Sequence, residues 1–305
     1  MKVVFISGVR FGHELLKTIL EKGLKISAVF SYSDKKQKFY SDFASFDEIT
    51  KKYNIMHHRV QNINDVENVE ILKNIQPDLI LVMGWSQLLK DEIIKIPKIG
   101  IIGSHPTELP KYRGRAPIPW SIIKGLKESA LSFFWITSGI DNGDLLDQKK
   151  FKIEEDDDAS TLYEKIIFLG KDMILHNLQR IQEGNIIKKR QDSSLFIEEW
   201  SKRTPEDGKI DWRENAKKIH TLIRATTHPY PGAFTFFKNS KLIIWNASYT
   251  EDEEQIPGKI IGVNSKGVKV ATGNGAIILS KISLNNKEDS ALSFFSKNEI
   301  GVQLG

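Results

Sequence analysis

A chain of 305 residues is long for a single hydrophobic core and comfortable for two domains. With 40% hydrophobic and 27% charged residues it has the balance of an ordinary soluble protein, and no apolar run reaches the ~20 residues that a membrane-spanning helix needs. The absence of cysteine excludes disulfides, thiolate catalysis and cysteine-ligated zinc and fits the cytoplasm, while 44 basic against 39 acidic residues leave +5, a mild excess that suits small anionic ligands as well as nucleic acid.

The first apolar run, VVFIS (3–7), is too short for the apolar core of a signal peptide and is predicted as a strand. A helix follows with Leu15, Leu16, Ile19 and Leu20 on one face, and Gly23 is placed to end it. Buried strands are predicted at 26–32, 78–84 and 99–105, with helical material between them. That alternation predicts a parallel sheet covered by helices, which 131–136 and 145–153 complete. The acidic run 154–158 suits the N-terminus of a helix from about 158 to 183, and Thr161 with Glu164 predicts a capping box.

After Lys188 the pattern changes. The stretch 191–212 is polar, holds a Thr-Pro and an Asp-Gly, and reads as a surface linker. One short helix follows at about 213–226; the remainder is strand-like, with hairpin signals around Ser265-Lys266-Gly267 and Gly273-Asn274-Gly275. The expected organisation is an α/β, Rossmann-like parallel-sheet domain over 1–190, a linker over 191–207, and a small antiparallel β-barrel, OB-like, over 208–305.

The turn after the first strand, SGVRFG, lacks the GxGxxG spacing of a dinucleotide site. Ligands of open α/β sheets bind beyond the carboxyl ends of strands, which directs attention to 83–89, 103–117 and 138–144. His105 follows a strand and precedes a proline; Asp141 opens the turn Asp141-Asn142-Gly143-Asp144. Alone, each is more often structural than catalytic. Placed together, an imidazole and a carboxylate make an acid–base pair. His57 and His58 diverge if they lie on a strand, so they are not expected to share a metal.

HPTELPKYRGRAPIPW (105–120) followed by GIDNGDLLDQ (139–148) is similar to the signature of the 10-formyltetrahydrofolate-dependent formyltransferases. RTPEDGKIDW (203–212), RATTHPYPGAF (224–234) and VATGNGAIIL (270–279) resemble the second domain of the same group. Within it, the chain resembles the sugar N-formyltransferases and methionyl-tRNA formyltransferase. The resemblance implies transfer of a formyl group from 10-formyltetrahydrofolate to a primary amine, without a metal. It also implies a catalytic trio of Asn, His and Asp, of which His105 and Asp141 match and the asparagine does not: Gly103 stands in its place. The missing amide is the expected donor to the formyl oxygen, and one such donor is worth ~10²–10³ in rate. A protonated His105, the Ser104 hydroxyl, the Gln87 amide or a backbone N–H are the replacements considered.

By the same resemblance, Gly84, Trp85, Gln87, Leu88, Asp141 and Asp144 are expected to hold the folate, and Lys111, Tyr112, Arg113 and Arg115 the acceptor, with Arg113 equally suited to bracing the loop. Methionyl-tRNA formyltransferases typically carry a glycine-rich basic insertion where this chain has YSDKKQKFYSDFASFDEIT (32–50), whose Lys35, Lys36 and Lys38 read as a solvated loop. A UDP- or dTDP-linked amino sugar is therefore expected ahead of methionyl-tRNA as acceptor. A formyltetrahydrofolate hydrolase or a non-catalytic folate-binding protein is the third reading. No membrane partner is expected, and a homodimer is compatible with the sequence.

Overall fold

Runs of apolar residues with no alternation can satisfy both faces of a strand only when helices cover both sides of the sheet. The computed structural model describes residues 1–251 and 256–305, without the side chains of Lys38 and Phe39, and shows this layering. Its first part contains β1 (Val3–Ile6), α1 (Arg10–Glu21), β2 (Ala28–Tyr32), α2 (Asp47–Lys52), β3 (Met56–Val60), α3 (Val66–Ile75), β4 (Leu79–Val82) and α4 (Asp91–Ile94). There follow β5 (Gly100–His105), β6 (Tyr112–Gly114), α5 (Pro117–Ile123), β7 (Glu128–Trp135), β8 (Leu145–Lys152) and α6 (Ala159–Gln182). The segment 34–39, within the expected loop, is one stretch of 3-10 helix; the side chain of Lys38 lies outside the described residues.

The main sheet has the order β3-β2-β1-β4-β5-β7-β8. The first five strands are parallel, as expected; β7 and β8 run antiparallel. The direct turn from β7 to β8 allows this, because antiparallel neighbours need no crossover helix. α1 buries Phe11, Leu15, Leu16, Ile19 and Leu20, and Gly23 ends it at φ 75°. The cap of α6 lies earlier than expected. Asp158 Oδ1 accepts from Thr161 N at 2.9 Å, and Thr161 Oγ1 accepts from Asp158 N at 3.0 Å, so the reciprocal pair is Asp158 and Thr161 rather than Thr161 and Glu164. The acidic run thus supplies the cap itself.

The chain folds as two units, one of residues 1–117, 127–153 and 163–201, the other of 118–126, 154–162 and 202–305. The stretch 191–207, expected as a linker, carries β9 (Glu198–Trp200), which pairs in parallel with β6. Gly114 makes that approach feasible: its φ is 99°, and a Cβ there would sit 2.3 Å from the Trp200 carbonyl oxygen.

The second unit holds α7 (Ala216–Thr226), β10 (Ala233–Phe237), β11 (Ser240–Thr250), β12 (Ile260–Asn264), β13 (Gly267–Ala271), β14 (Ala276–Leu284) and β15 (Lys287–Ser290). The strands form one antiparallel sheet ordered β10-β11-β14-β13-β12, with β15 on β14. Both expected hairpins are present, closing on the pairs Asn264–Gly267 and Ala271–Ala276. α7 packs Ile219 and Ile223 into a core with Trp212, Ile244, Val270 and Leu279. Among the described residues no ladder joins β10 to β12 directly; the C-terminal segment bonds to both, with Ile260 N donating to Val302 O at 2.9 Å and Gly305 N to Phe236 O at 3.0 Å.

Candidate active site

β4 and β5 are parallel neighbours, so the loops that follow them leave the same edge of the sheet. β7 pairs Trp135 with Ile102, and the backbone of Ile136 bonds to Ile101. Running antiparallel, β7 delivers its turn below His105, and the turn folds back to meet it. The imidazole of His105, 5% exposed, is held from two sides. Nε2 lies 3.1 Å from the Tyr112 carbonyl oxygen; a carbonyl only accepts, so Nε2 carries a hydrogen and donates. Nδ1 is left facing Asp141 Oδ2 at 3.5 Å. Thr107 Oγ1 donates to the same Tyr112 carbonyl.

Asp141 has φ 48°, in the left-handed region that Asp and Asn tolerate better than other side chains. Its Oδ2 accepts from Gly114 N at 3.1 Å, which ties the 138–144 turn to the 111–115 loop. Gln191, 8% exposed, is a member of the site that the linker reading missed. Its Nε2 donates to the carbonyls of Asp141 (2.8 Å) and Gly143 (2.7 Å), and its Oε1 accepts from Arg113 Nη2 at 2.8 Å.

A cavity of about 390 Å³ opens beside this pair, a size suited to the head of a small-molecule ligand. Val82, Gly103, Ser104, Phe134 and Ile136 line it together with Trp85, Gln87, Leu88 and Asp141. Of the six expected folate contacts, Gly84 and Asp144 are not among the lining residues. Gly84 N donates to Ser104 Oγ at 3.3 Å, and the Asp144 carbonyl accepts from Trp135 N at 2.8 Å, so both serve the frame. Trp85 is backed by a stack no motif announced: its ring lies 3.8 Å from that of Tyr32, which lies 4.3 Å from that of Tyr40. Both tyrosine hydroxyls meet Ser86 Oγ, at 3.0 and 2.7 Å, and burial above all pushes the Tyr32 hydroxyl well above its ordinary range.

Three of the four expected acceptor-binding residues are engaged within the protein. Lys111 Nζ pairs with Glu108 at 2.9 Å; burial alone would raise that carboxyl, but Lys111 and Lys150 outweigh it and hold it below the usual range. Tyr112 stacks on Trp200 at 4.7 Å, and Arg113 bonds Gln191 and covers Phe196. Arg115 is the exposed member of the four.

A Cβ at Gly103 would lie 3.0 Å from Ile136 and 3.1 Å from Phe134. The space next to the missing side chain is therefore filled by the cavity wall. The Gln87 amide is partly committed, donating one N–H to Gln61 O at 2.7 Å and accepting from Ile63 N at 3.0 Å. Ser104 Oγ accepts from Gly84 and retains its own hydrogen.

His57 and His58 diverge as expected: His57 meets Ser31 Oγ at 2.8 Å and Asp47 at 3.3 Å, while His58 stacks on Phe30. Among the described residues there is no group of three or more His, Asp or Glu able to hold a metal ion, and no helix is long and apolar enough to cross a membrane.

Residues 1–178 match the formyl transferase family, and residues 202–299 match the formyl transferase C-terminal domain. The chain belongs to this family. A relative at 33% identity is the methionyl-tRNA formyltransferase of Clostridium tetani, aligned over 94% of this chain and 93% of its own. The bifunctional polymyxin resistance protein ArnA of Wigglesworthia glossinidia brevipalpis is also 33% identical, over 87% of this chain; the chain spans only 40% of that protein. Among solved structures, an N-formyltransferase from Helicobacter canadensis in complex with folinic acid and dTDP-3-aminofucose superposes with a TM-score of 0.66 at 20% identity, over 92% of this chain and 99% of its own. That likeness is one of fold.

Proposed function

We propose that this formyl transferase moves a formyl group from 10-formyltetrahydrofolate to the primary amine of methionyl-tRNA. The observation that carries the chemistry is the pairing of His105 with Asp141, whose carboxylate-bearing residue lines the 390 Å³ cavity. An ammonium has no lone pair, so the amine must reach the site neutral or lose a proton there. His105 Nδ1 is the ring nitrogen left to take that proton, because Nε2 is held by the Tyr112 carbonyl. The Asp141 carboxylate at 3.5 Å orients the ring and stabilises charge on it.

10-Formyltetrahydrofolate supplies the activated formyl carbon: the amine adds to it, the bond from that carbon to the folate nitrogen breaks, and the proton taken by His105 passes to the departing nitrogen. The lining fits its flat heterocyclic head, with Val82, Leu88, Phe134 and Ile136 against the ring faces and Trp85, Gln87, Ser104 and Asp141 as the polar complement. Ser104 carries a hydroxyl at the cavity wall suited to replace the asparagine amide, since its oxygen accepts from Gly84 N and its own hydrogen is left to donate, while a side chain at 103 would crowd Ile136 and Phe134.

The acceptor reading departs from the amino sugar expected from the sequence. It is supported by relatives such as that of C. tetani, which align along nearly the whole of both chains. It is further supported by the state of the 111–115 loop: a sugar nucleotide needs a compact cationic cradle for its pyrophosphate, and Lys111 and Arg113 are occupied internally. An amino-sugar nucleotide remains the second reading, favoured by the 32–50 stretch, which lacks a glycine-rich basic insertion. The test offers both acceptors to the purified protein with 10-formyltetrahydrofolate; formylation of an amino sugar with methionyl-tRNA untouched selects the second.

A further inference from the structure

The segment 189–200 is a strap across the active-site loops. Leu145 N donates to Lys189 O at 2.7 Å and Lys189 N to Leu145 O at 2.9 Å at one end. At the other, Ile197 N donates to Lys111 O at 2.9 Å and β9 pairs with β6. Gln191 lies between these anchors, and its buried amide is fully used. Its two N–H groups satisfy two carbonyls of the same turn, and its oxygen takes Arg113 Nη2.

We propose that Gln191 is a positioning residue that fixes the carboxylate of Asp141 against His105 by clamping the turn 141–143. Asp141 occupies a left-handed conformation that an unclamped turn would leave. Besides facing His105, its side chain accepts a hydrogen bond from Gly114 N, so the direction of the carboxylate depends on where the backbone is held. Gln191 provides that hold at the carbonyl of Asp141 itself, and Arg113 sets the amide's orientation. Only a primary amide presents two donors and one acceptor in this arrangement.

The test uses Gln191→Glu, which keeps the size and removes both donors, and Gln191→Met, which removes them without adding charge. In formyl transfer, kcat is expected to fall ~10-fold or more in both, because an ångström of misplacement costs up to ~10²-fold, while KM for 10-formyltetrahydrofolate stays within about twofold. Combined with Asp141→Asn, either substitution is expected to add less than about threefold, since the residue acts through Asp141. Unchanged kcat, or a loss that multiplies fully with Asp141→Asn, overturns the assignment.

This kinetic arm rests on the formyl-transfer reading. An arm independent of any acceptor compares crystal structures of the wild type and Gln191→Met, reading the 3.5 Å separation of His105 Nδ1 and Asp141 Oδ2. The positioning role requires the Asp141 carboxylate to turn away from the ring in Gln191→Met. A separation that stays at the wild-type value overturns it even if the protein transfers no formyl group.

Discussion

His105 and Asp141 face each other, Nδ1 to Oδ2, across 3.5 Å, although one ends a parallel strand and the other sits in a turn that follows an antiparallel one. The pair exists because the turn folds back over the strand it has just left, and because Gly114 N and Gln191 hold it there.

His105→Ala and Asp141→Asn are each expected to lower formyl transfer at least ~10²-fold, the scale of general acid–base groups. Asp141→Asn is the cleaner change: asparagine also tolerates φ 48° and still accepts from Gly114 N, so only the charge is lost. Near wild-type turnover in a folded variant would remove the pair from the mechanism.

Gly103→Asn is expected to destabilise the protein by ~1–3 kcal/mol without raising activity, because the new side chain meets Ile136 and Phe134 at about van der Waals contact or closer. Adding Ile136→Ala should relieve part of that cost. Thermal unfolding and turnover of both variants check this. A gain beyond ~10²-fold in the single variant would instead mean that the site simply lacks its donor.

Arg113 and Arg115 separate by parameter. Arg115→Ala is expected to raise KM for the acceptor about three- to tenfold with kcat little changed, as for an exposed cation that only binds. Arg113→Ala frees Gln191 and is expected to lower kcat as well. Equal effects on both parameters from both variants would contradict the division.

Asp42 gives a pH dependence of stability. Burial, the largest influence, raises its carboxyl above the ordinary range, against the hydrogen bond that Tyr163 Oη donates to Oδ2 at 2.7 Å. A raised folded-state value means that the folded protein holds this proton more tightly. The contribution is then complete below the unfolded value and lost as pH rises through the folded one. Asp42→Asn should flatten the fall in stability above about pH 4. Denaturant titrations of both proteins across pH 3–7 measure it; parallel slopes would refute it.

Much of the frame is legible in the sequence. Uninterrupted apolar runs locate β1, β2, β4 and β5, Gly23 ends α1, and two glycine-bearing turns locate the hairpins of the second unit. His105 and Asp141 stand out through strand-end placement and motif together. The direction of β7 does not, because LSFFWI reads the same in parallel and antiparallel pairing. Gln191 is hidden for a different reason: its sequence surroundings are polar and turn-rich, and the partners of its buried amide, Arg113, Asp141 and Gly143, are distant in sequence. The Tyr40–Tyr32–Trp85 stack joins the end of β2 to residues of two separate loops, with no spacing to mark it.

The most direct measurement supplies purified protein with 10-formyltetrahydrofolate and either methionyl-tRNA or a panel of UDP- and dTDP-linked amino sugars, at low and moderate salt, beside His105→Ala. The expected result is N-formylation of methionyl-tRNA, weakened steeply by salt as phosphate counterions are released, and reduced at least ~10²-fold in the variant. Formylation of an amino sugar alone, or transfer that survives the loss of His105, would contradict it.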